Sequence, residues 1–186
     1  MLVHLHGFEG AIPTCTFEGC PPLNLICVPG GAGVVEALAD VETVDFIQGG
    51  RAEYVTSVCM GAFLIGATGF LKGRRAATHW AYVDLLPLVS ARHEKERVVR
   101  DGNVFASSGV SAGIEFAFSI VAELAGPKVA QAIQLGIEYD PSPPFDAGHP
   151  DNASKAATAL MVQRNEKART GIRLGLEKLG FPGKHL

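Results

Sequence analysis

The order of apolar and polar positions along the chain predicts strands that alternate with helices. The apolar run 23–28 predicts a strand that is buried on both faces, and helical spacing over residues 34–38 and 41–48 follows it. A second apolar run, 54–58, stops at one cysteine, and a helical run of small residues begins at Gly61. This order is typical of a parallel sheet that is covered by helices.

The remaining patterns complete an α/β arrangement. Further strands are predicted at 2–5 and 76–78. A hairpin is predicted for 97–100 and 104–107, with Asp101-Gly102-Asn103 as its turn, and a brief edge hairpin at 11–12 or 14–17. Further helices are predicted at 80–86, 110–124, 129–139 and from Asp151 onward. Because the run 110–124 carries only Glu115 and Glu123 as charges, we expect that helix to be buried on most of its surface.

Composition narrows the class of protein. The 186 residues, 47% hydrophobic and 19% charged, predict a single globular domain over 1–186 and exclude a disordered chain. The net charge of −3 and the scattered basic residues indicate no nucleic-acid partner. No apolar run is long enough to cross a bilayer and residues 1–6 do not have the form of a signal peptide, so we expect a cytoplasmic protein without a membrane partner.

The four cysteines are expected to be reduced in that compartment. Cys15 and Cys20 have no second Cys or His pair to complement them, so we expect no metal site there. Cys27 falls within a strand pattern and is interpreted as a core residue. Gly30-Gly31-Ala32-Gly33 lacks the Lys-Ser/Thr of a phosphate loop, and we expect no cofactor.

Cys59 is the candidate nucleophile, since it lies at a sharp turn between a strand and a helix. Such a turn lifts the side chain above the sheet, and the amides at the start of the helix favour the reactive thiolate. We therefore expect an exposed thiol with a depressed pKa. The alternative interpretation is a small buried cysteine that fills space at a strand end.

Seven blocks of the chain, taken in order, form a recognisable set: Cys20-Pro21-Pro22-Leu23, Ile26-Cys27-Val28-Pro29-Gly30-Gly31, Tyr54-Val55-Thr56-Ser57-Val58-Cys59, Leu71–Tyr82, Glu96–Asn103, Gly109–Phe116 and Glu138–Phe145. With these blocks the chain resembles the class-I glutamine amidotransferase-like superfamily, which also holds intracellular proteases and glyoxalases. Within it the chain is most similar to bacterial isocyanide (isonitrile) hydratases, which are hydro-lyases. The resemblance implies a three-layer, flavodoxin-like α/β sandwich with a mostly parallel sheet, a small-molecule substrate and a homodimer.

The resemblance also implies a site. Cys59 attacks the isocyanide carbon to give a thioimidate, and the backbone amides of Gly31 and Met60 stabilise the charge that develops. Gly30, His79, Val110 and Ser111 are expected to line or support the site. The resemblance implies no base role for His79, and Ser111 has the alternative role of a helix cap.

Two features depart from the hydratase pattern. The family chain begins with another strand and an Asp-x-x-Gly-Pro segment whose acid hydrogen-bonds the cysteine, whereas this sequence is expected to start after that point, at the family's second strand. The residue after the nucleophile, often Thr in hydratases, is Met60 here. We expect that the sequence is an incomplete reading of its gene, the alternative being an inactive or altered relative. We accordingly expect low stability and little hydratase activity from the 186 residues alone, and recovery of both with an in-frame upstream extension.

Other functions remain open on the sequence. The ligand-sensing domains of AraC-type regulators share the Cys and Thr-His-Trp blocks, although only one charged helix follows Asp151. Thiol-dependent stress hydrolases or glyoxalases usually carry His after the cysteine, where this chain has Met60. His149-Pro150-Asp151 imitates the His-x-Glu pair of true glutamine amidotransferases, but it lies in a Pro/Gly loop and its proline restricts the geometry.

Overall fold

The protein, seen in a computed structural model that describes residues 13–182, alternates strands and helices as expected. The elements are β1 (Leu25–Val28), α1 (Val34–Ala37), α2 (Val41–Gly49), β2 (Tyr54–Val58), α3 (Gly61–Ala67), β3 (Arg75–Ala76), a 3₁₀ helix (Trp80–Val89), β4 (Arg92–His93), β5 (Val98–Asp101), β6 (Val104–Ser107), α4 (Ala112–Ala125), α5 (Pro127–Gly136) and α6 (Lys155–Lys178). The strands expected at 2–5 and 11–12 lie outside the described residues. The alternative edge strand at 14–17 is wrong, because residues 13–24 contain no strand.

The main sheet has four strands in the order β1-β2-β6-β5. β2 runs parallel to both β1 and β6, and only β5 is antiparallel to its neighbour. The predicted hairpin is confirmed: Asp101 pairs with Val104, and Gly102 turns the chain at a φ of 65°, where glycine has no steric penalty. β3 and β4 form a separate two-stranded parallel sheet.

Helices cover both faces of the main sheet, which confirms the predicted three-layer α/β sandwich with a mostly parallel sheet. On one face, Val55 of β2 joins a core cluster with Phe63 and Ile65 of α3. On the other face, Val58 points at α4, where a Cβ added to Gly113 would lie 3.8 Å from its methyl group. The core continues to α6, whose Ile172 and Leu176 are fully buried.

Two predictions of burial are wrong. Cys27 is exposed, because β1 is the edge of the sheet among residues 13–182 and Cys27 lies on the face opposite Ile26 and Val28. Only Ala112 and Phe116 of α4 are buried, since this helix packs mainly on β5, β6 and α5 and its outer face is covered by no other described residue.

The segment after β3 also differs from prediction. The expected helix at 80–86 is a 3₁₀ helix that continues through Pro87 to Val89, with Ser90 at a φ of 57° ending it. Proline has no backbone N–H to donate and obstructs an α-helical turn, which favours the tighter form. The predicted strand at 76–78 is only Arg75–Ala76, and the helix predicted at 129–139 spans Pro127–Gly136. Among residues 13–182 no helix combines the length and apolarity that crossing a membrane requires.

Candidate active site

Cys59 occupies a strained turn between β2 and α3. Its φ of 56° lies in the left-handed region, which residues other than glycine enter at a cost of about 1–3 kcal/mol. Two hydrogen bonds fix its backbone: its N–H donates to the Ser107 carbonyl at 3.0 Å, and its carbonyl accepts from Thr78 Oγ1 at 2.7 Å. The strand–turn–helix geometry that the sequence predicts is therefore present, with Cys59 at its apex.

Two glycines allow the chain to pass close to this turn. A Cβ on Gly30 would lie 2.7 Å from Cβ of Cys59, and a Cβ on Gly61 would lie 2.2 Å from the Val28 carbonyl oxygen. Gly31, beside Gly30, has a φ of 120°, a conformation that L side chains rarely adopt. Pro29-Gly30-Gly31 thus brings backbone, without side chains, against Cys59.

The expected exposure and depressed pKa of Cys59 are wrong. Its exposed fraction is 7%, and burial raises the pKa of the thiol because it penalises the charged form. Backbone hydrogen bonding from Met60 and His79 acts to lower the pKa of this thiol, yet burial outweighs it. The helix start does favour the thiolate, but the sequence gives no sign of how deeply the turn lies below the surface.

His79 is a cap of the 3₁₀ helix rather than a free base. Its Nδ1 accepts the Ala81 N–H at 3.3 Å, so the neutral ring carries its proton on Nε2. Burial lowers the pKa of His79, which keeps the ring uncharged near neutral pH. A Cβ on Gly109 would lie 3.4 Å from this ring, which places the chain before α4 beside His79.

Of the other predicted residues, Met60 directly follows Cys59 and is buried, whereas Val110 is 83% exposed. Ser111 precedes α4 but its side chain makes no capping bond; its Oγ accepts from Arg97 at 3.2 Å instead. Arg97 also pairs with Glu115. Ser111 is therefore part of a polar network on the surface of α4, and no described hydrogen bond joins it to Cys59.

His149-Pro150-Asp151 forms a separate surface cluster. Asp151 pairs with Lys95, and His149 Nδ1 lies 3.4 Å from Asp151. On β4, burial lowers the pKa of His93, with smaller contributions from the nearby His149 and Lys95. These contacts lie at β4 and the loop before α6, and no described hydrogen bond or ion pair joins them to Cys59. In the described part of the chain no group of His, Cys, Asp and Glu side chains could hold a metal ion.

Four polar residues around the site were not predicted from the sequence. Thr78 fixes the Cys59 carbonyl, and Tyr82 donates its phenolic hydrogen to Asn165 Oδ1 at 2.6 Å. Arg169, one turn after Asn165, pairs with Asp84 at 2.6 Å. Thr78 and Tyr82 belong to the block Leu71–Tyr82 and could have been singled out from the sequence, whereas nothing in the charged spacing of α6 marks Asn165 or Arg169.

Taken together, the site offers a thiol at the carboxyl end of a central parallel strand, held between backbone amides and apolar side chains. Addition of this thiol to an electrophilic carbon is the chemistry that such a site supports. The fold and the buried cysteine define a class of α/β proteins that carry a cysteine at the turn between a parallel strand and a helix.

Comparison with known proteins agrees with that class. The sequence model of the DJ-1/PfpI family matches residues 9–123. The chain is 51% identical to the isonitrile hydratase of Pseudomonas putida over 89% of its own length and 72% of that protein. It is 30% identical to the Parkinson disease protein 7 homolog of Danio rerio, over 61% of this chain and 62% of that one. The chain belongs to the DJ-1/PfpI family.

Solved structures give the same result. The crystal structure of a ThiJ/PfpI family protein from Pseudomonas syringae superposes with a TM-score of 0.89 at 37% identity, over 95% of this chain and 74% of that one. The resemblance stated from the sequence blocks is thereby confirmed.

Proposed function

We propose that this protein hydrates an isocyanide to the N-substituted formamide, with Cys59 as the nucleophile. The observation that carries the proposal is the 51% identity to an isonitrile hydratase, which spans the elbow and most of the chain around it. The geometry supports it: Cys59 is the one cysteine of residues 13–182 that lies buried at a turn between a strand and a helix.

The reaction needs only the thiol and one water. The Cys59 sulfur adds to the terminal carbon of R–N≡C, and the thiol proton is delivered to that carbon, giving the thioimidate R–N=CH–S–Cys. Water then adds to the same carbon, the C–S bond breaks, and R–NH–CHO leaves as the thiol is restored. No oxidant or reductant is consumed.

The backbone near Cys59 supports both steps. Backbone hydrogen bonding from Met60 and His79 acts to lower the pKa of Cys59, while Gly31 and Met60 are proposed to stabilise charge on the substrate. The apolar surroundings raise the pKa of Cys59, so the resting group is the neutral thiol, which also carries the proton that the carbon needs. Gly30, His79, Val110 and Ser111 are proposed to line or support this site.

The test is turnover of a simple alkyl isocyanide, followed by appearance of the formamide C–H signal in proton NMR. It is run on the 186-residue chain and, in parallel, on the product of any longer in-frame reading of its gene. We expect Cys59→Ser to reduce turnover to the uncatalysed rate, because the hydroxyl is a far weaker nucleophile. Cys27→Ser is the matched control, since Cys27 is exposed at the edge of the sheet.

Two outcomes contradict the proposal. The first is formamide production by Cys59→Ser equal to that of the unmodified chain. The second is saturable isocyanide binding without any turnover by either form, the behaviour of a sensor domain such as those of AraC-type regulators.

We also propose a homodimer, as the resemblance implies. Its support is the set of exposed apolar side chains of α4, α5 and the residues before them: Val110, Ile114, Leu124, Val129, Ile133 and Leu135. Exposed apolar patches of this kind mark association surfaces. Light scattering at micromolar concentration is expected to give about twice the chain mass of 19.6 kDa, and a mass of one chain contradicts the proposal.

A further inference from the structure

The Thr78 hydroxyl is buried beside the cysteine turn and bonds to its backbone. Thr78 is 2% exposed, and its Oγ1 donates to the carbonyl oxygen of Cys59 at 2.7 Å. A second donor to this oxygen, the Ala62 N–H, lies 3.4 Å away, which is long for a hydrogen bond. Thr78 therefore makes the shorter of the two hydrogen bonds that orient the carbonyl between Cys59 and Met60.

The carbonyl of Cys59 and the N–H of Met60 belong to one peptide unit. Residues 13–182 contain no cis peptide bond. Because a trans peptide is planar, its C=O and N–H point in opposite directions, and fixing one of them fixes the other. The peptide on the other side of Cys59 is held separately, since its N–H donates to the Ser107 carbonyl at 3.0 Å. The direction of the Met60 N–H thus depends on the contact that Thr78 makes.

The Met60 amide lies where Pro29-Gly30-Gly31 approaches the turn. A Cβ added to Gly30 would lie 3.1 Å from the Met60 nitrogen and 2.7 Å from Cβ of Cys59. Among residues 13–182 no backbone carbonyl accepts the Met60 N–H, so this donor is not used by the backbone of the fold. Cys59 and the Met60 amide therefore lie beside each other, against a residue that has no side chain.

The segment that carries Thr78 is fixed on both sides by backbone hydrogen bonds. Before it, the Ala76 carbonyl accepts from the Glu94 N–H at 3.0 Å. After it, the His79 carbonyl accepts from the Tyr82 N–H at 2.9 Å. A hydroxyl on a segment held in this way gives the peptide of the turn one defined orientation, which is what a preorganised donor requires.

We propose that Thr78 is a positioning residue for the reaction of Cys59: by holding the Cys59 carbonyl, it directs the Met60 N–H at the charge that develops on the substrate. A donor that is already aimed needs no reorganisation during the reaction, and one that has turned away stabilises the transition state less. The inference rests on the proposed function, in which Cys59 is the nucleophile and the Met60 amide stabilises charge on the substrate.

The first measurement compares the turnover of an alkyl isocyanide by Thr78→Val and Thr56→Val, in whichever form of the chain, the 186 residues or a longer reading, turns it over. Valine is also β-branched and lacks only the hydroxyl. Thr56 is the matched control, because it is fully buried and its Oγ1 donates at 2.9 Å to the Ile26 carbonyl of β1, not to the turn.

The two variants are expected to differ in kcat. We expect Thr78→Val to lower kcat about 10- to 100-fold with KM nearly unchanged, since the lost interaction acts in the transition state. Thr56→Val is expected to keep kcat within about twofold, because the peptide of the turn keeps its donor. Thr78→Ser, which retains the hydroxyl, is expected to restore most of kcat.

The second measurement needs no substrate. Labelling methionine with ¹⁵N gives few amide signals, because the chain has three methionines, at positions 1, 60 and 161. A hydrogen bond to the carbonyl of a peptide polarises its N–H, so loss of the Thr78 hydroxyl is expected to move the Met60 signal upfield in ¹⁵N. Met161, in α6, is the internal reference, and Thr56→Val is expected to leave both signals in place.

Two results overturn the inference. One is a Met60 signal in Thr78→Val that stays where it is in the unmodified chain, and the other is a fall in kcat no larger than that of Thr56→Val. Absence of turnover by every form of the unmodified chain contradicts the proposed function instead, and the inference then stands or falls on the Met60 signal. Should Thr78→Val not fold, Thr78→Ala and Thr78→Ser give the same comparison, since they differ only in the hydroxyl.

Discussion

Two apolar helices of this protein, α3 and α4, look alike in sequence and have opposite surroundings. α3 follows the cysteine turn, and its residues 61–66 are all buried. α4 follows the β5–β6 hairpin and is similarly apolar, yet only Ala112 and Phe116 are buried among its fourteen residues. Apolar composition therefore indicates that a helix needs a partner, but the surrounding elements decide whether that partner is part of the same chain.

The largest difference in unfolding free energy between α3 and α4 is expected when one methyl group is added to each helix. Gly61→Ala in α3 places Cβ 2.2 Å from the Val28 carbonyl oxygen and 2.8 Å from that of Pro29. Both are backbone atoms, which cannot rotate out of the way as the end of a side chain can. We expect a loss of more than about 4 kcal/mol of unfolding free energy, or no folded protein. Urea denaturation measures it.

The matched change in α4 is Gly113→Ala, where Cβ lies 3.8 Å from a Val58 methyl, an ordinary contact. There we expect a gain of about 0.5–1 kcal/mol from helix propensity. Equal losses at both glycines would contradict the view that α3 alone is held by close backbone packing.

Removing one large side chain from each helix tests the same contrast. Phe63 of α3 is fully buried, so Phe63→Ala is expected to cost about 3–5 kcal/mol through lost contacts and the cavity left behind. Leu124 of α4 is 57% exposed, and Leu124→Ala is expected to change the unfolding free energy by less than about 0.5 kcal/mol in dilute solution. A cost above about 1 kcal/mol at Leu124 that grows with protein concentration indicates that a second copy covers this face.

The elbow, the hairpin and the alternation of strands with helices were predictable because each depends on a local pattern. β2 ends at Val58 and α3 begins at Gly61, as the apolar run and the small residues indicate. The same local patterns predicted burial poorly. Cys27 is exposed and Cys59 is not, since burial depends on elements far away in sequence.

The electrostatics of the site were the least predictable part. The Thr78 hydroxyl donates to the Cys59 carbonyl across a separation of nineteen residues, and α6 contacts the 3₁₀ helix across more than eighty. No spacing rule links residues at such distances. The 3₁₀ form of 80–89 was also missed, although Pro87 gave a sign that a regular α-helix would not continue there.

α6 is intermediate between the buried α3 and the partly exposed α4. It is charged and largely exposed, but Arg169 binds it to the 3₁₀ helix. That guanidinium holds the pKa of Asp84 below its usual range, chiefly through the hydrogen-bonded pair. A folded-state pKa below the unfolded value gives stability above the unfolded pKa that is lost as pH falls through the folded one. We expect Asp84→Asn to cost less than about 1 kcal/mol at neutral pH, because the carboxylate is half-exposed, and close to nothing below about pH 3. An equal cost at both pH values contradicts this account.

The central claim is that Cys59 forms the covalent intermediate. The most direct measurement is intact-protein and peptide mass spectrometry after rapid mixing with a slowly hydrolysed aryl isocyanide and an acid quench. The account predicts an increase equal to the whole mass of the isocyanide, located on the peptide that carries Cys59, with no such increase in Cys59→Ser. An adduct on Cys15, Cys20 or Cys27 instead, or formamide release by Cys59→Ser at the rate of the unmodified chain, contradicts it.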